Sequence, residues 1–351
     1  MDMSKIFLKD ACPTPVGGQA ILEGVMMRGM ERTAIAVRIP DGRIHIKTRK
    51  NGNTSKWMKI PIVRGVFSFI TSLVEGTKTL TYSADVLEYY DRKLKDDKTD
   101  AESEKMGKIE SLLSEKLGSP KLWSLMLAAS VIFALAFSVG IFVLLPTAAV
   151  GWIKAYISSP ILLNLTEGIL RIAMFLLYLS AISKMEDIKR VFQYHGAEHK
   201  TIHCFENNLE LTPENAQTFY TLHPRCGTSF LMFVMIISLI LFSLLGWPNL
   251  LWRLASRIIL IPVVAGTSYE LLKWAGRSDN IVVRILSLPG LYLQKITTNE
   301  PDEKQLEVAI ASLKAVMVDP DTPCIEGIID EDMNLTEEIR ISEAKQEKKN
   351  D

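Results

Sequence analysis

Residues 122–145 run for 24 positions without one charged side chain. A helix rises about 1.5 Å per residue, so this run exceeds a ~30 Å hydrocarbon core. No soluble fold needs such a segment. Three more apolar stretches follow: 161–183, which carries Glu167 and Arg171; 230–245, short and uncharged; and 254–274, interrupted by Arg257 and by Tyr269-Glu270. The mean hydropathy of +0.16 agrees with a membrane protein. The expected fold class is therefore a membrane α-helical bundle of about four transmembrane helices, with a small cytoplasmic β-rich N-terminal unit and cytoplasmic helices. An acid four residues before a base is a favoured helical pair, so Glu167 and Arg171 read as a mutual ion pair inside the bundle, ahead of a transport role.

Basic residues set the orientation. They gather before the first span, between the second and third (Lys184, Lys189, Arg190, Lys200, Arg225), and after the fourth, while the other two connections are nearly free of them. Basic flanks stay in the cytoplasm, which puts both termini and residues 184–228 on that side. The four cysteines are scattered, and no secreted disulfide framework or cleavable signal peptide is expected. Forty basic residues balance forty acidic ones, which argues against nucleic acid as a partner.

The expected organisation is a β-rich unit over 1–56, an interfacial helix and charged linker over 57–121, the bundle over 122–275, a cytoplasmic segment over 276–318, and a charged, disordered tail over 319–351. Two β-prone runs around Pro40-Asp41-Gly42 predict a hairpin, with His45 on its second strand as a packed or solvent-facing residue. Residues 57–90 fit an amphipathic helix at the membrane interface or an ordinary packed helix. Residues 288–299 read as loop and short strand, and Pro301 opens a helix.

Four of the five histidines lie between His195 and His223. His195, Glu198 and His199 stand in the H-x-x-E-H order of inverted zinc-peptidase motifs. Positions i and i+4 share a helix face, so two imidazoles can grip one ion while the carboxylate beside them activates water. His203 continues the spacing, but helical pitch sets it roughly 12 Å from His195, too far for one ion. The remaining ligands are expected from His223, Cys226 and Glu270, with Arg225 as an oxyanion stabiliser. The cofactor expected is a divalent metal ion, with zinc as the leading candidate. Cys226 activated by His223 as a thiol nucleophile is a weaker reading, since it leaves the H-x-x-E-H stretch unexplained.

The blocks from Gly17 to Gly29, from Tyr194 to Ile202, His223-Pro-Arg-Cys-Gly-Thr-Ser229 and Pro289-Gly-Leu-Tyr-Leu-Gln294 resemble the YqhQ-type family of bacterial multi-pass membrane proteins. The resemblance runs from about Val16 to Val318. It implies the bacterial cytoplasmic (inner) membrane and a metal-dependent enzyme of undetermined function. The Gly17–Gly29 block reads as a strand and turn packed on the bundle, or as a loop that brings Glu23 to the metal.

Two functions follow as expectations. The first is a membrane-embedded metal-dependent hydrolase, most simply a peptidase. The second is a non-enzymatic adaptor, or an assembly or quality-control factor of protein export, with a structural metal. The partners expected are the lipid bilayer, membrane or exported proteins, and further copies of the chain. A metal transporter is disfavoured because the histidines lie outside the spans.

Overall fold

The computed structural model describes Ile6, Cys12 and residues 14–52, 60–96, 120–246, 249–275, 280–330 and 332–341. The polar linker expected over 97–119 and the tail beyond 341 lie outside the described residues. The chain divides into two compact units. One comprises residues up to Arg92, Tyr178–Ile237 and Leu254 onward, and the other Lys93–Leu177 with Ser238–Arg253.

The first unit is built on strands β1 (Gly17–Ile21), β2 (Gly24–Arg28), β3 (Arg32–Arg38) and β4 (Ile44–Lys50). The hairpin at Pro40-Asp41-Gly42 is present, pairing Arg32–Arg38 against Ile44–Lys50. The expected disorder after Asp319 does not hold through Ile341. Strands β5 (Glu326–Ile329) and β6 (Leu335–Glu338) complete an antiparallel sheet in the order β1 to β6, with β5 on β4. The cause is a cation the sequence does not advertise. The buried Arg32 guanidinium donates to the carbonyls of Asp319, Pro320, Thr322 and Pro323, and so ties the returning chain down.

Both faces of the sheet are covered, as strand alternation requires. Val25, Met27, Ala34, Ala36 and Ile46 pack under the helices that carry Tyr194 and Leu306. Ile21, Met26, Ile35, Val37 and Ile328 pack under Val86 and Tyr90 of helix α1 (Val63–Asp96). His45 is a packed residue. Tyr82 Oη donates to Glu326 at 2.9 Å, which leaves it to accept from His45 Nε2 at 2.8 Å. His45 Nδ1 then accepts from Tyr90 Oη at 3.1 Å. This chain fixes the tautomer and ties α1 to β4 and β5. The first part of α1 packs elsewhere: Gly65 stands against Gly266, and Arg64 pairs with Glu270.

Helix α2 (Pro120–Val139) continues through a π-helical turn, Gly140–Leu144, into α3 (Leu145–Ile153). Pro146 does not stop this helix, and the Phe142 carbonyl four residues before it, which its missing N–H leaves open, accepts from Arg171 Nε. Helix α4 (Pro160–Ile182) carries the expected ion pair, Arg171 to Glu167 at 2.8 Å. Thr147 Oγ1 adds a bond to Glu167, and Arg171 Nε also donates to the carbonyl of Phe142 in the π turn.

Next come α5 (Glu186–Glu206), α6 (Pro213–Gln217), α7 (Gly227–Ser243), α8 (Leu250–Ala275), α9 (Ile281–Thr297) and α10 (Glu303–Val316). Among the described residues, three helices are long and apolar enough to cross a membrane: Ile132–Ile153, Pro160–Ile182 and Leu251–Ala275. The third expected span, α7, has 17 residues and falls short of a full crossing at about 1.5 Å per residue. Residues 288–299 are not loop and strand. Val283, Ser287, Gly290, Leu291, Gln294 and Thr297 are buried at helical spacing, so α9 runs through Pro289. Pro301 precedes the N-cap Asp302, whose capping box with Gln305 starts α10.

Candidate metal centre

Helix α5 opens on Glu186 and Asp187, which suit the positive end of its dipole. From Tyr194 to Cys204 every residue is buried, so the histidine stripe is an interior face. Gly196 allows this: a Cβ there would lie 2.1 Å from the Asn299 carbonyl oxygen. The chain leaving α9 is thus pressed against α5, and Asn299 N donates to the Phe192 carbonyl at 2.9 Å. The Thr297 carbonyl consequently reaches His195 Nδ1 at 2.8 Å. His199 Nδ1 meets the carbonyl of Thr221, from the loop before α7.

These two carbonyls decide the protonation pattern. A carbonyl only accepts, so Nδ1 of each ring carries the proton and each Nε2 presents a lone pair. His195 Nε2 lies 3.2 Å from Cys226 Sγ. His199 Nε2 is buried and has no hydrogen-bond partner. Donor atoms of His195, His199 and Cys226 all lie within 4.8 Å of one another, and the two rings meet edge-on at 4.4 Å. One thiol proton cannot satisfy two facing lone pairs, whereas one cation can satisfy three donors. Backbone carbonyls holding the far nitrogen of each imidazole are the usual support of metal-ligating histidines. The residues present therefore fit a divalent ion of borderline softness such as zinc.

Electrostatics agree with that use. Burial lowers the pKa of His199 and keeps the ring neutral. Burial alone would raise the Cys226 thiol, but His199 and the bonds from Thr228 outweigh it and hold it below its ordinary value. Glu198, fully buried beside the trio, is pushed up to about 8, chiefly by burial and against the pull of His195 and the Gly18 amide. Gly18 belongs to β1, and a Cβ there would stand 2.8 Å from Glu198 Cδ. The glycine thus makes room for the carboxyl. A cavity of about 630 Å³ opens onto His195, Glu198 and Cys226, and a second of about 250 Å³ touches His199 and His223.

The other expected site residues are placed differently. His223 is one ring further on, 5.6 Å from His199 between centroids, and is not among the convergent donors. Its Nδ1 accepts from the Arg225 amide at 3.3 Å, and its Nε2 faces Glu206 at 3.6 Å. Burial lowers it to about 4. Arg225 is not turned to the trio: it binds Glu206 and the Thr14 carbonyl. Glu270 sits on α8 in its pair with Arg64 and supplies no ligand here. His203 donates Nε2–H to the Leu222 carbonyl at 3.0 Å and contacts His223, so its ring supports the cluster from behind. Glu23 pairs with Arg190 at the β1–β2 turn, which makes the Gly17–Gly29 block a strand and turn.

Two residues were missed. Glu206 continues the stripe of His195, His199 and His203 at helical spacing, and that spacing was its signal. It accepts from Thr14 N at 2.9 Å and from Thr14 Oγ1 at 3.0 Å. Burial would raise it, yet His223, Thr14 and Arg225 hold it at about 2. Gln294 accepts from His223 N at 2.8 Å and donates to the His223 carbonyl at 2.9 Å, which pins the loop before Cys226. The Pro289–Gln294 block carried the family resemblance, but nothing in it assigned Gln294 a place at the site.

A family described as "Protein of unknown function (DUF1385)" matches residues 60–319. The chain belongs to that DUF1385 family. The DUF1385 segment contains α5, the Cys226 loop and α9, so all three donors and both orienting carbonyls lie inside it. The chain is also 35% identical over 313 residues to a protein of Bacillus subtilis (strain 168) called "Uncharacterized protein YqhQ". That alignment covers 88% of this chain and 94% of the relative, so it takes in more than the DUF1385 segment. No solved structure matches.

Proposed function

We propose that this DUF1385 protein is a membrane-embedded, metal-dependent hydrolase, with peptide bonds as the simplest target. Its site lies at the cytoplasmic edge of the bacterial inner membrane, and both termini are cytoplasmic. The carrying observation is the convergence of His195 Nε2, His199 Nε2 and Cys226 Sγ, the first two held in the ligating tautomer by backbone carbonyls. A divalent ion held by three protein donors keeps a position for water or a substrate carbonyl and supplies Lewis acidity there.

The chain's own part falls to Glu198. It lines the same cavity as His195 and Cys226, which puts a proton acceptor beside the position left open. In amide hydrolysis Glu198 removes a proton from water as the carbon–oxygen bond forms. It returns that proton to the nitrogen as the carbon–nitrogen bond breaks. Arg225 has no share in this, since Glu206 holds its guanidinium. The apolar helices anchor the unit, and the basic residues around α5 favour the cytoplasmic side.

The test is elemental analysis of detergent-purified protein. Wild type is expected to carry about one zinc per chain, as a site with three protein ligands and an open position requires. His195→Ala loses it, and Glu198→Gln keeps it while losing hydrolysis of an unfolded protein substrate. Metal retained in His195→Ala rules out this centre. Metal retained together with full function in Glu198→Gln leaves a metal-holding scaffold and rejects the enzyme.

A further inference from the structure

Among the described residues strand β1 has β2 on one side only, so its other side is an edge of the sheet. The two helical layers overhang that edge, α5 from one face and α1 from the other, and the cavity of about 630 Å³ lies in the cleft between them. Gly17, Gly18, Gln19 and Ala20 all line it. A strand shows alternate residues to a face, so consecutive β1 residues along a cavity mean that it wraps the strand's edge, and Met26 and Arg28 of β2 carry it on over the face toward α1. His195, Glu198 and Cys226 form one wall, and Ser72 and Glu75 of α1 form the opposite one.

The backbone groups point the right way. The Gly18 backbone faces the Glu198 carboxyl, which stands on the cleft side. In an antiparallel strand the N–H and C=O of residues two apart face the same side, so those of Ala20 also face the cleft. Gly17 presents no side chain to hold a second backbone off, as glycine in a strand commonly does where another backbone approaches, while the room at Gly18 is taken by Glu198. At Gly17 a Cβ would meet nothing within 4 Å, so the space beside it is open.

We infer that this cleft takes an extended polypeptide segment, which adds to β1 as a further strand and is thereby laid across the His195–His199–Cys226 centre. Main-chain pairing supplies affinity with little regard to side chains. The five residues of β1 set the length of the paired stretch. The substrate class is then an unfolded or locally unfolded chain, because a folded protein keeps most of its backbone paired and its exposed sheet edges short or blocked. The inference rests on the hydrolase reading for its chemistry, but polypeptide binding to β1 is separable from metal content.

The probe is fluorescently labelled, reduced and carboxymethylated α-lactalbumin, with native α-lactalbumin as its folded counterpart. Both are titrated against the full-length protein in detergent, with anisotropy as readout and metal content measured in parallel. The unfolded form is expected to bind at least tenfold more tightly than the native form. Ala20→Pro removes an outward N–H at a strand edge, where proline is tolerated. It is expected to weaken binding at least tenfold with metal content unchanged. Gly17→Phe fills the open cleft without touching a ligand, should give the same loss, and carries the test if Ala20→Pro does not fold. Equal binding of native and unfolded probes, or wild-type binding in a folded cleft variant, overturns the inference. If the unfolded probe binds through β1 to protein that holds no metal, the hydrolase reading falls while this one stands.

Discussion

Replacing Gly196 with alanine should damage the proposed metal centre from the flank of its helix. The new methyl carbon would lie 2.1 Å from the Asn299 carbonyl oxygen, and that oxygen is backbone, so no rotamer change relieves it. The strand leaving α9 has to retreat by about 1 Å, in an interior packed as densely as a crystal. Overpacking of this kind costs about 1–3 kcal/mol. The same segment carries the Thr297 carbonyl, whose 2.8 Å bond holds the His195 tautomer. Losing an orienting partner of a metal ligand lowers affinity about 10–100-fold. Two readouts are therefore expected from Gly196→Ala: an earlier denaturation midpoint, and zinc that competes less well against a chelator of known affinity. Gly52→Ala is the control, since a Cβ there meets nothing within 4 Å. Wild-type zinc affinity in a destabilised Gly196→Ala would refute the claim that the Thr297 carbonyl sets the ligand geometry.

Further outcomes follow from the same contacts. Cys226→Ser should lose zinc while His223→Ala retains it, because only the first removes a convergent donor; elemental analysis of both variants checks this. Glu206→Gln keeps an amide oxygen for Thr14 but replaces the oxygen that accepts from Arg225 with an NH2 group, and should cost about 2 kcal/mol in a denaturant titration, as a lost bond to a charged group does. His45 is held near 4 by burial, so between pH 4 and its ordinary value of 6.5 the unfolded chain binds the extra proton. Stability contributed by His45 is therefore full above pH 6.5 and is lost as pH falls toward 4, by about 3 kcal/mol in total. The difference in pH slope between wild type and His45→Gln isolates that share, and equal slopes would reject it.

What the sequence disclosed depended on the range of the contacts involved. The i, i+4 spacing of His195 and His199 and the turn residues at 40–42 are local signals, and both led to the observed element. The ion pair of Glu167 and Arg171 was legible for the same reason. Cys226 lies beside the histidines because α5 and α7 flank one loop. Glu270, expected from the same membrane rim, does not. Its shared boundary said nothing of Arg64, which lies 206 residues away in sequence and claims it. The tail misled for a similar reason: acidic composition argued for disorder, while the cation that orders it, Arg32, is more than 280 residues upstream. In α9, Pro289 and Gly290 read as loop, yet Gly290 is there for close contact with Ser229.

The centre depends on the tertiary fold in a way its motif conceals. H-x-x-E-H supplies two imidazoles and a carboxyl on one helix face, but a free imidazole offers either nitrogen. The choice is made by Thr297 at the end of α9 and by Thr221 in the loop before α7, two segments far apart in the chain. Both press on α5 because Gly196 lets one approach and because Gln294 clamps the His223 backbone beside the other. The carboxyl is positioned by a third region, since the Gly18 amide reaches Glu198 from the edge of a sheet whose last strands come from the C-terminal part. An isolated α5 peptide should therefore bind zinc far more weakly than the folded chain, even though it carries the whole motif. A peptide spanning residues 186–206 that matched the affinity of the protein would show that helical spacing alone suffices, and that these three supports are incidental.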